Sequence, residues 1–291
     1  MKKSKKLIIK FIEIVIEYIF TKKIYSYFLF LRFYNKFKRS INRKKQKQKF
    51  SENLDQINNF EYKITSQNNE DGIIEYIFSK IPNNKKFVEI GFEFSEFNSL
   101  NLIKKNWSGL LIDRDEYQAY LTSNLIKFFF PSSKVIIKSL NINRNNINHS
   151  IKQNIFFDQI DFFSLDIDGN DYWVLKNMIL DNIKCICIEY NHWLGAKTKK
   201  SIPYDPNFRF INNGFFGASL LAFNSLLKKR NFYLVAVDSS GTNAFFVNNL
   251  YKGVFEELDP IKSFKSAPYL YSKVDKERIF KNIKNFNFQN V

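Results

Sequence analysis

Two short acidic segments hold the side chains best suited to chemistry. Asp166 and Asp168 stand two apart at the end of the apolar run IDFFSLDI (160–167), followed at once by Gly169, Asn170 and Asp171. Glu189, Asn191 and His192 close a second run, KCICIEY (184–190). If the two runs are neighbouring strands, Asp166, Asp168, Glu189 and the Asn191 amide oxygen form a set of hard oxygen donors that suits Mg²⁺. A cation there would lower the pKa of an acceptor hydroxyl. The plainer alternative is that 168–171 makes a turn and caps the next helix, with Glu189 bonded to backbone or to a ligand amine. His192 is either a general base for the same site or a surface histidine outside the chemistry.

A second constellation lies earlier in the chain. Glu89 and Gly91 end the run KFVEIG (86–91), and Asp113 ends SGLLID (108–113). An acid about 20 residues beyond such a glycine can accept hydrogen bonds from both ribose hydroxyls of an adenosine, while the glycine lets backbone approach the ligand. Asn141 and Asn143, after KVIIK (134–138), could read an adenine edge. The candidate cofactor set is therefore Glu89, Gly91, Asp113, Asn141, Asn143 and Asp166.

These residues need a scaffold that brings strand ends together. The apolar runs alternate with helical patterns at 66–78, 97–105, 170–180 and 218–230, which predicts βαβ units and a parallel sheet covered on both faces. FYLVAVD (232–238) and NAFFVN (243–248) are separated by four residues, too few for a crossover helix, so this last pair must be antiparallel. The expected fold is α/β, a doubly wound Rossmann-like sheet with an antiparallel last strand pair, plus an N-terminal helical arm. Ligands of such a sheet bind beyond the carboxyl ends of its strands.

Composition narrows the class further. The chain has 291 residues, 45% hydrophobic and 25% charged, with 9 Gly, 6 Pro and 2 Cys. Disordered, collagen-like and disulfide-framework proteins are excluded. Cys185 and Cys187 share one side of their strand and cannot bond to each other, which leaves them to core packing. Residues 1–50 hold 16 of the 45 basic residues and two of the 28 acidic ones, so +14 of the net +17 lies in this arm. Lys6, Lys10, Glu13, Glu17 and Thr21 make one polar stripe on an otherwise apolar helix. Charges interrupt every run that could span a membrane, and no secretory cleavage site follows, so a cytoplasmic location is expected. The arm then either lies on the inner membrane face, its apolar side in the interface and its polybasic tail on anionic headgroups, or packs on the domain ahead of a solvated basic linker. Nucleic acid is the least favoured partner. The expected division is an arm (1–50), a linker (51–65), a catalytic domain (66–250) and a partly helical extension (251–291).

The wording of the segments also resembles a known family, the FkbM-type S-adenosylmethionine-dependent methyltransferases within the Rossmann-like class I group. The resemblance rests on SQNNEDG (66–72), FVEIGFEFSEFNSLNL (87–102), WSGLLID (107–113), LNINRNNIN (140–148), FFSLDIDGNDYWVL (162–175), CIEYN (187–191), IPYD (202–205), FFGASLLAFNSLLKK (215–229) and GTNAFFV (241–247), all in order. It implies methyl transfer from S-adenosylmethionine, to oxygen of a sugar, glycan or lipid-linked acceptor. The chain departs from the family where Gly91 is followed by Phe92, Glu93, Phe94 and Ser95, a loop one residue short with bulky side chains beside the cofactor's methionine part. The alternative function is a membrane-associated Rossmann-like binding or scaffold protein that has lost its cofactor. Trp173, Trp193 and Tyr204 are candidates for an acceptor pocket or for core, and Ser219 for a substrate contact or a helix cap.

Overall fold

The structure is a computed structural model, and it describes residues 31–48, 54–155, 158–267 and 272–291. Seven runs of apolar residues form one sheet: β1 (Lys86–Ile90), β2 (Ser108–Asp113), β3 (Val135–Ser139), β4 (Ile160–Leu165), β5 (Ile183–Glu189), β6 (Phe232–Val237) and β7 (Asn243–Asn248). Their order is β3-β2-β1-β4-β5-β7-β6. The first five are parallel, whereas β7 runs antiparallel to both β5 and β6. The chain leaves β1 toward one edge and returns to β4 on the other side, so the strand order reverses between these two neighbours.

Alternate residues of a strand point to opposite faces, and here both faces are covered. Val88, Leu110, Phe163 and Ile186 belong to one apolar cluster, joined by Val174 and Phe223 of the helices α6 (Asp171–Asn177) and α7 (Leu220–Lys228). Phe87, Leu111, Phe162, Cys185 and Cys187 belong to the other, with Ile73 and Ile77 of α2 (Glu70–Lys80), Leu100 of α3 (Leu100–Lys104) and Leu125 of α4 (Glu116–Phe129). That double coverage is why the strands read as continuous apolar runs rather than alternating ones. A further helix, α5 (Ile147–Asn154), follows β3, and α8 (Lys273–Ile283) lies in the C-terminal extension. Neither α4 nor α5 is among the helices expected from the sequence.

The described parts of the expected arm and linker both pack on the domain. Residues 31–41 form a helix, α1, whose Phe37 and Ile41 are buried in the second cluster, with Phe33 and Tyr34 against it. This part of the arm is therefore built into the domain; the polar stripe from Lys6 to Thr21 lies outside the described residues. Residues 54–65, the described part of the expected 51–65 linker, are tied to the domain. Glu61 takes hydrogen bonds from the Ser239 backbone N–H (2.7 Å) and the Ser239 hydroxyl, and Asn58 donates to the Val237 carbonyl (2.9 Å). Their polar composition reads as solvent-facing from the sequence, yet these groups are buried because each finds a partner. Gly72 permits the close turn beneath them, since a Cβ there would stand 2.1 Å from the Phe60 carbonyl oxygen. The C-terminal extension returns to the domain: Gln289–Asn290 pairs antiparallel with Lys200–Ser201, and Phe286 and Phe288 meet Phe215. Among the described residues no helix is long and apolar enough to cross a membrane.

Candidate functional site

The reversal between β1 and β4 opens a cleft of about 690 Å³ at the carboxyl ends of the parallel strands. Its walls come from the turns after β1, β2, β3 and β4, from Glu89 and Glu189, and from four elements distant in sequence that contribute Lys36, Gln67, Phe208 and Asn243. The volume is that of a site for a cofactor-sized ligand.

Gly91 has φ +79°, and a Cβ on it would come within 1.5 Å of the Asp166 carbonyl oxygen. Glycine is required there by the neighbouring strand itself, in addition to any ligand. Asp113 lines the cleft at the end of β2, its carboxylate accepting the backbone N–H groups of Asp115 (2.7 Å) and Phe92 (3.2 Å). Burial raises its pKa against the lowering effect of those bonds. A carboxylate offers about four lone-pair sites, so two remain for a ligand. Asn141 also lines the cleft. Asn143 does not: its amide oxygen accepts the N–H groups of Asn145 (2.9 Å) and Asn146 (3.2 Å), forming the turn into α5. Glu89 is buried and accepts the N–H groups of Asn98 (3.0 Å) and Ser99 (2.8 Å) and the Ser99 hydroxyl (2.5 Å), anchoring the start of α3. Desolvation pushes its pKa up to about 7.

The aromatic side chains of the unusual loop do not crowd the cleft as the sequence suggests. Phe92, Phe94 and Phe97 are buried in the second apolar cluster, and Phe92 and Phe97 pack on each other at 5.5 Å while forming part of the wall. Gln118 of α4 holds this loop by donating to the Phe92 carbonyl (2.6 Å) and accepting the Phe94 N–H (3.2 Å). Helix α1 and the turn after it hold the loop from the other side, α1 through Lys36 to Glu93 (3.0 Å) and an edge-on contact of Phe33 with Phe94, and the turn through Arg43 to Glu96 (2.8 Å).

Asp166, Asp168 and Glu189 converge, with one carboxylate oxygen of each lying within 4.8 Å of the others. The turn that delivers the first two wraps around Asp171, whose carboxylate accepts the N–H groups of Ile167 and Gly169, both at 2.8 Å. Asp168 adopts φ +53°, a left-handed conformation uncommon for a residue with a side chain. Desolvation, followed by the charges of Asp168 and Asp171, raises Asp166 well above the carboxylate range; desolvation and the charge of Asp166 do the same to Glu189, and the two carboxyls share a hydrogen bond. Asp168 is pushed up to about 6 by desolvation and by Asp171, against the pull of Arg114. Eight carboxylates line the cleft against two cations, Lys36 and Arg114. Such an excess concentrates positively charged ligands.

A comparison with protein-family models and with curated proteins finds no match. Among solved structures the chain is similar to an S-adenosylmethionine-dependent methyltransferase from Clostridium acetobutylicum, at 10% identity and a TM-score of 0.40, over 62% of this chain and 90% of that one. It is similar to the N-terminal domain of EvdMO1 in the presence of SAH and D-fucose, at 9% identity and 0.40, over 62% and 82%. It is also similar to M. capricolum TrmK in complex with SAH, at 13% identity and 0.37, over 72% and 82%. Likenesses at this level carry no argument about chemistry, and the site has to be read from its own residues.

Two expected site residues fall away. Asn191 is not a metal ligand: its amide accepts the Trp193 N–H (3.0 Å) and donates to the carbonyls of Gly214 (2.9 Å) and Phe216 (2.8 Å), so it braces the 214–216 turn. His192 is buried beside Trp193, outside the cleft wall, and desolvation lowers its pKa to about 4. Trp173 donates to the Ile202 carbonyl (2.9 Å), Trp193 packs on Phe280, and Tyr204 lies under Arg144, none of them lining the cleft. Ser219 caps α7 by accepting the Ala222 N–H (3.2 Å). Sequence reasoning passes over Lys36, Arg114, Gln118 and Phe208. No spacing announces them, although Gln67 and Asn243 lie inside segments, SQNNEDG and GTNAFFV, that the resemblance singles out.

Proposed function

We propose that the protein is an S-adenosylmethionine-dependent methyltransferase of the FkbM type, acting on a hydroxyl oxygen of a sugar, glycan or lipid-linked acceptor. The observation that carries this reading is the meeting, in one cleft at the strand-order reversal, of a ribose-type acid on β2 with three converging carboxylates on β4 and β5. S-adenosylmethionine supplies an electrophilic methyl on a sulfonium, and its positive charges suit a wall with a large excess of carboxylates. Asp113 has lone pairs left for the ribose hydroxyls, Gly91 keeps the first turn free of a side chain, and Asn141 stands where a base edge can be read. Asp166 and Glu189, near enough to share a hydrogen bond, are suited to an amine or a divalent cation. The acidic trio also fits Mg²⁺, since oxygens on one ion at 2.0 to 2.6 Å lie no more than about 5 Å apart. Mg²⁺ would polarise the acceptor hydroxyl.

Transfer requires an acceptor oxygen aligned with the methyl group and water kept out. Phe208, which stands against Gly169, and Pro206 line the cleft together with Asp168 and Asn170, and Asp168, its pKa pushed up to about 6, is suited to receive the acceptor's proton. A cytoplasmic location and peripheral contact of residues 1–50 with an anionic membrane belong to the same reading. Calorimetry with S-adenosylmethionine and S-adenosylhomocysteine tests it. Binding of both is the expected result, and failure of both to bind leaves the scaffold alternative. Turnover of a hydroxyl acceptor that is insensitive to chelator would remove the metal and leave Asp168 as the base.

A further inference from the structure

Helix α1 turns Phe37 and Ile41 inward and leaves Arg32, Asn35, Lys36, Lys38 and Arg39 exposed, a face without a single acid. Lys36 is paired with Glu93, whereas Arg32, Lys38 and Arg39 have no carboxylate partner among the described residues. Alongside runs α4, brought next to α1 by ring contacts of Phe33 with Tyr117 (6.0 Å) and Tyr34 with Phe128 (5.7 Å). Its outer stripe consists of Tyr117, Tyr120, Asn124 and Phe128, spaced three and four apart, with Tyr120 69% and Phe128 68% exposed. Lys127 stands beside Phe128 and extends the positive surface, and the acid Glu116 is at the opposite end of that helix. Between α1 and the loop after β1 lies a hollow of about 610 Å³, with Phe33 and Phe94 below and Arg32, Lys36 and Arg39 around it.

We propose that this α1–α4 face docks on an anionic lipid surface, with phosphate headgroups between Arg32 and Arg39 and the rings of Tyr120 and Phe128 in the interfacial layer. Aromatic rings and basic side chains side by side are the chemistry of that layer. A second copy of the chain is a poorer occupant, because two-fold pairing would set Arg32 and Arg39 against the same cations. Nucleic acid is poorer too, since exposed rings interrupt the positive surface. Lys36 lines both the hollow and the main cleft, so a docked protein presents its cleft close to the lipid. The proposal rests on the membrane contact proposed above for residues 1–50 and is independent of methyl transfer.

Sedimentation of the full chain with phosphatidylcholine vesicles, with and without phosphatidylglycerol, tests it. Binding should require phosphatidylglycerol and weaken as salt rises. Arg32→Glu with Arg39→Glu should lower affinity at least about 25-fold, from roughly fivefold for each lost cation contact. Tyr120→Ser with Phe128→Ser should lower it several-fold and make the remaining binding fully salt-reversible. All four side chains are exposed or outside the cleft, so melting and S-adenosylmethionine binding should match the parent in both variants, which separates this test from that of the enzymatic reading. Unchanged vesicle binding by either variant overturns the proposal, as does indifference of the parent to anionic vesicles. Light scattering that shows a dimer dissolved by Tyr120→Ser with Phe128→Ser also overturns it, in favour of self-association.

Discussion

This domain treats two sets of carboxylates differently: Asp71, which is buried, and the trio Asp166, Asp168 and Glu189, of which Asp168 is exposed and the others half-buried. Asp71, at the start of α2, is buried and takes the backbone N–H groups of Ile64 (2.7 Å), Thr65 (2.7 Å) and Ser66 (2.8 Å), together with the hydroxyls of Thr65 and Ser66. Its charge is answered by donors of its own chain. Asp166, Asp168 and Glu189 face one another across a few ångströms, and what they meet is chiefly more negative charge. Between these two sets the difference lies in the supply of N–H donors. The first arrangement stabilises the fold, whereas the second stores repulsion that a cation or a proton relieves.

Substitution should set the two groups furthest apart. Asp71→Ala strands three buried N–H groups and should destabilise the domain by about 3 to 5 kcal/mol, measured by denaturant unfolding. Asp166→Asn should leave stability equal or higher, and a loss as large as that of Asp71→Ala would erase the distinction. Under the proposed function, Asp168→Asn should lower turnover about 10²- to 10⁴-fold with the fold intact. Activity close to the parent's would remove Asp168 from the proton path. A smaller effect belongs to Asp113, which serves both purposes by pinning two N–H groups and facing the cleft. Asp113→Ala should weaken S-adenosylmethionine binding by about 1.5 kcal/mol or more, and unchanged calorimetric affinity would reassign it to structure alone.

The mildest test uses pH. Burial raises Glu89 from 4.5 to about 7, so between these values the folded chain holds a proton that the unfolded chain has lost. Stability contributed by this group is full below pH 4.5 and declines as pH rises to 7. His192, lowered from 6.5 to about 4, acts in the opposite sense, its contribution declining as pH falls through that range. Melting curves of Glu89→Gln and the parent should therefore differ in slope, the variant losing less stability toward pH 7. Parallel curves would mean that the donors from Asn98 and Ser99 fully compensate for burial.

The sheet is legible in the sequence because both faces are covered, so each strand is a continuous apolar run, and because the loop of 239–242 is too short for a helix. Helix α4 is obscured by the same rings that make its outer face unusual: Tyr117, Tyr120 and Phe128 put apolar residues on both sides and blur the helical period. Asp113, Asp166, Asp168 and Glu189 are legible because they end strands of one parallel sheet. Lys36 and Phe208 are not, since they reach the cleft from α1 and from the 202–214 loop, and no local spacing records a tertiary approach. The buried Asn58 and Glu61 are misread for a related reason: they look solvent-facing until Val237 and Ser239, distant in the chain, supply their partners.

The bare backbone contact between Gly91 and the Asp166 carbonyl joins the first turn to the acidic one with no side chain between them to absorb movement. A ligand that shifts the Gly91 turn must also shift the chain carrying Asp166 and Asp168. Under the proposed function the two halves of the cleft are then thermodynamically linked: whatever factor the cofactor imposes on acceptor affinity, the acceptor returns to cofactor affinity unchanged. Cooperativity between the two ligands would thus begin at a single missing methyl group.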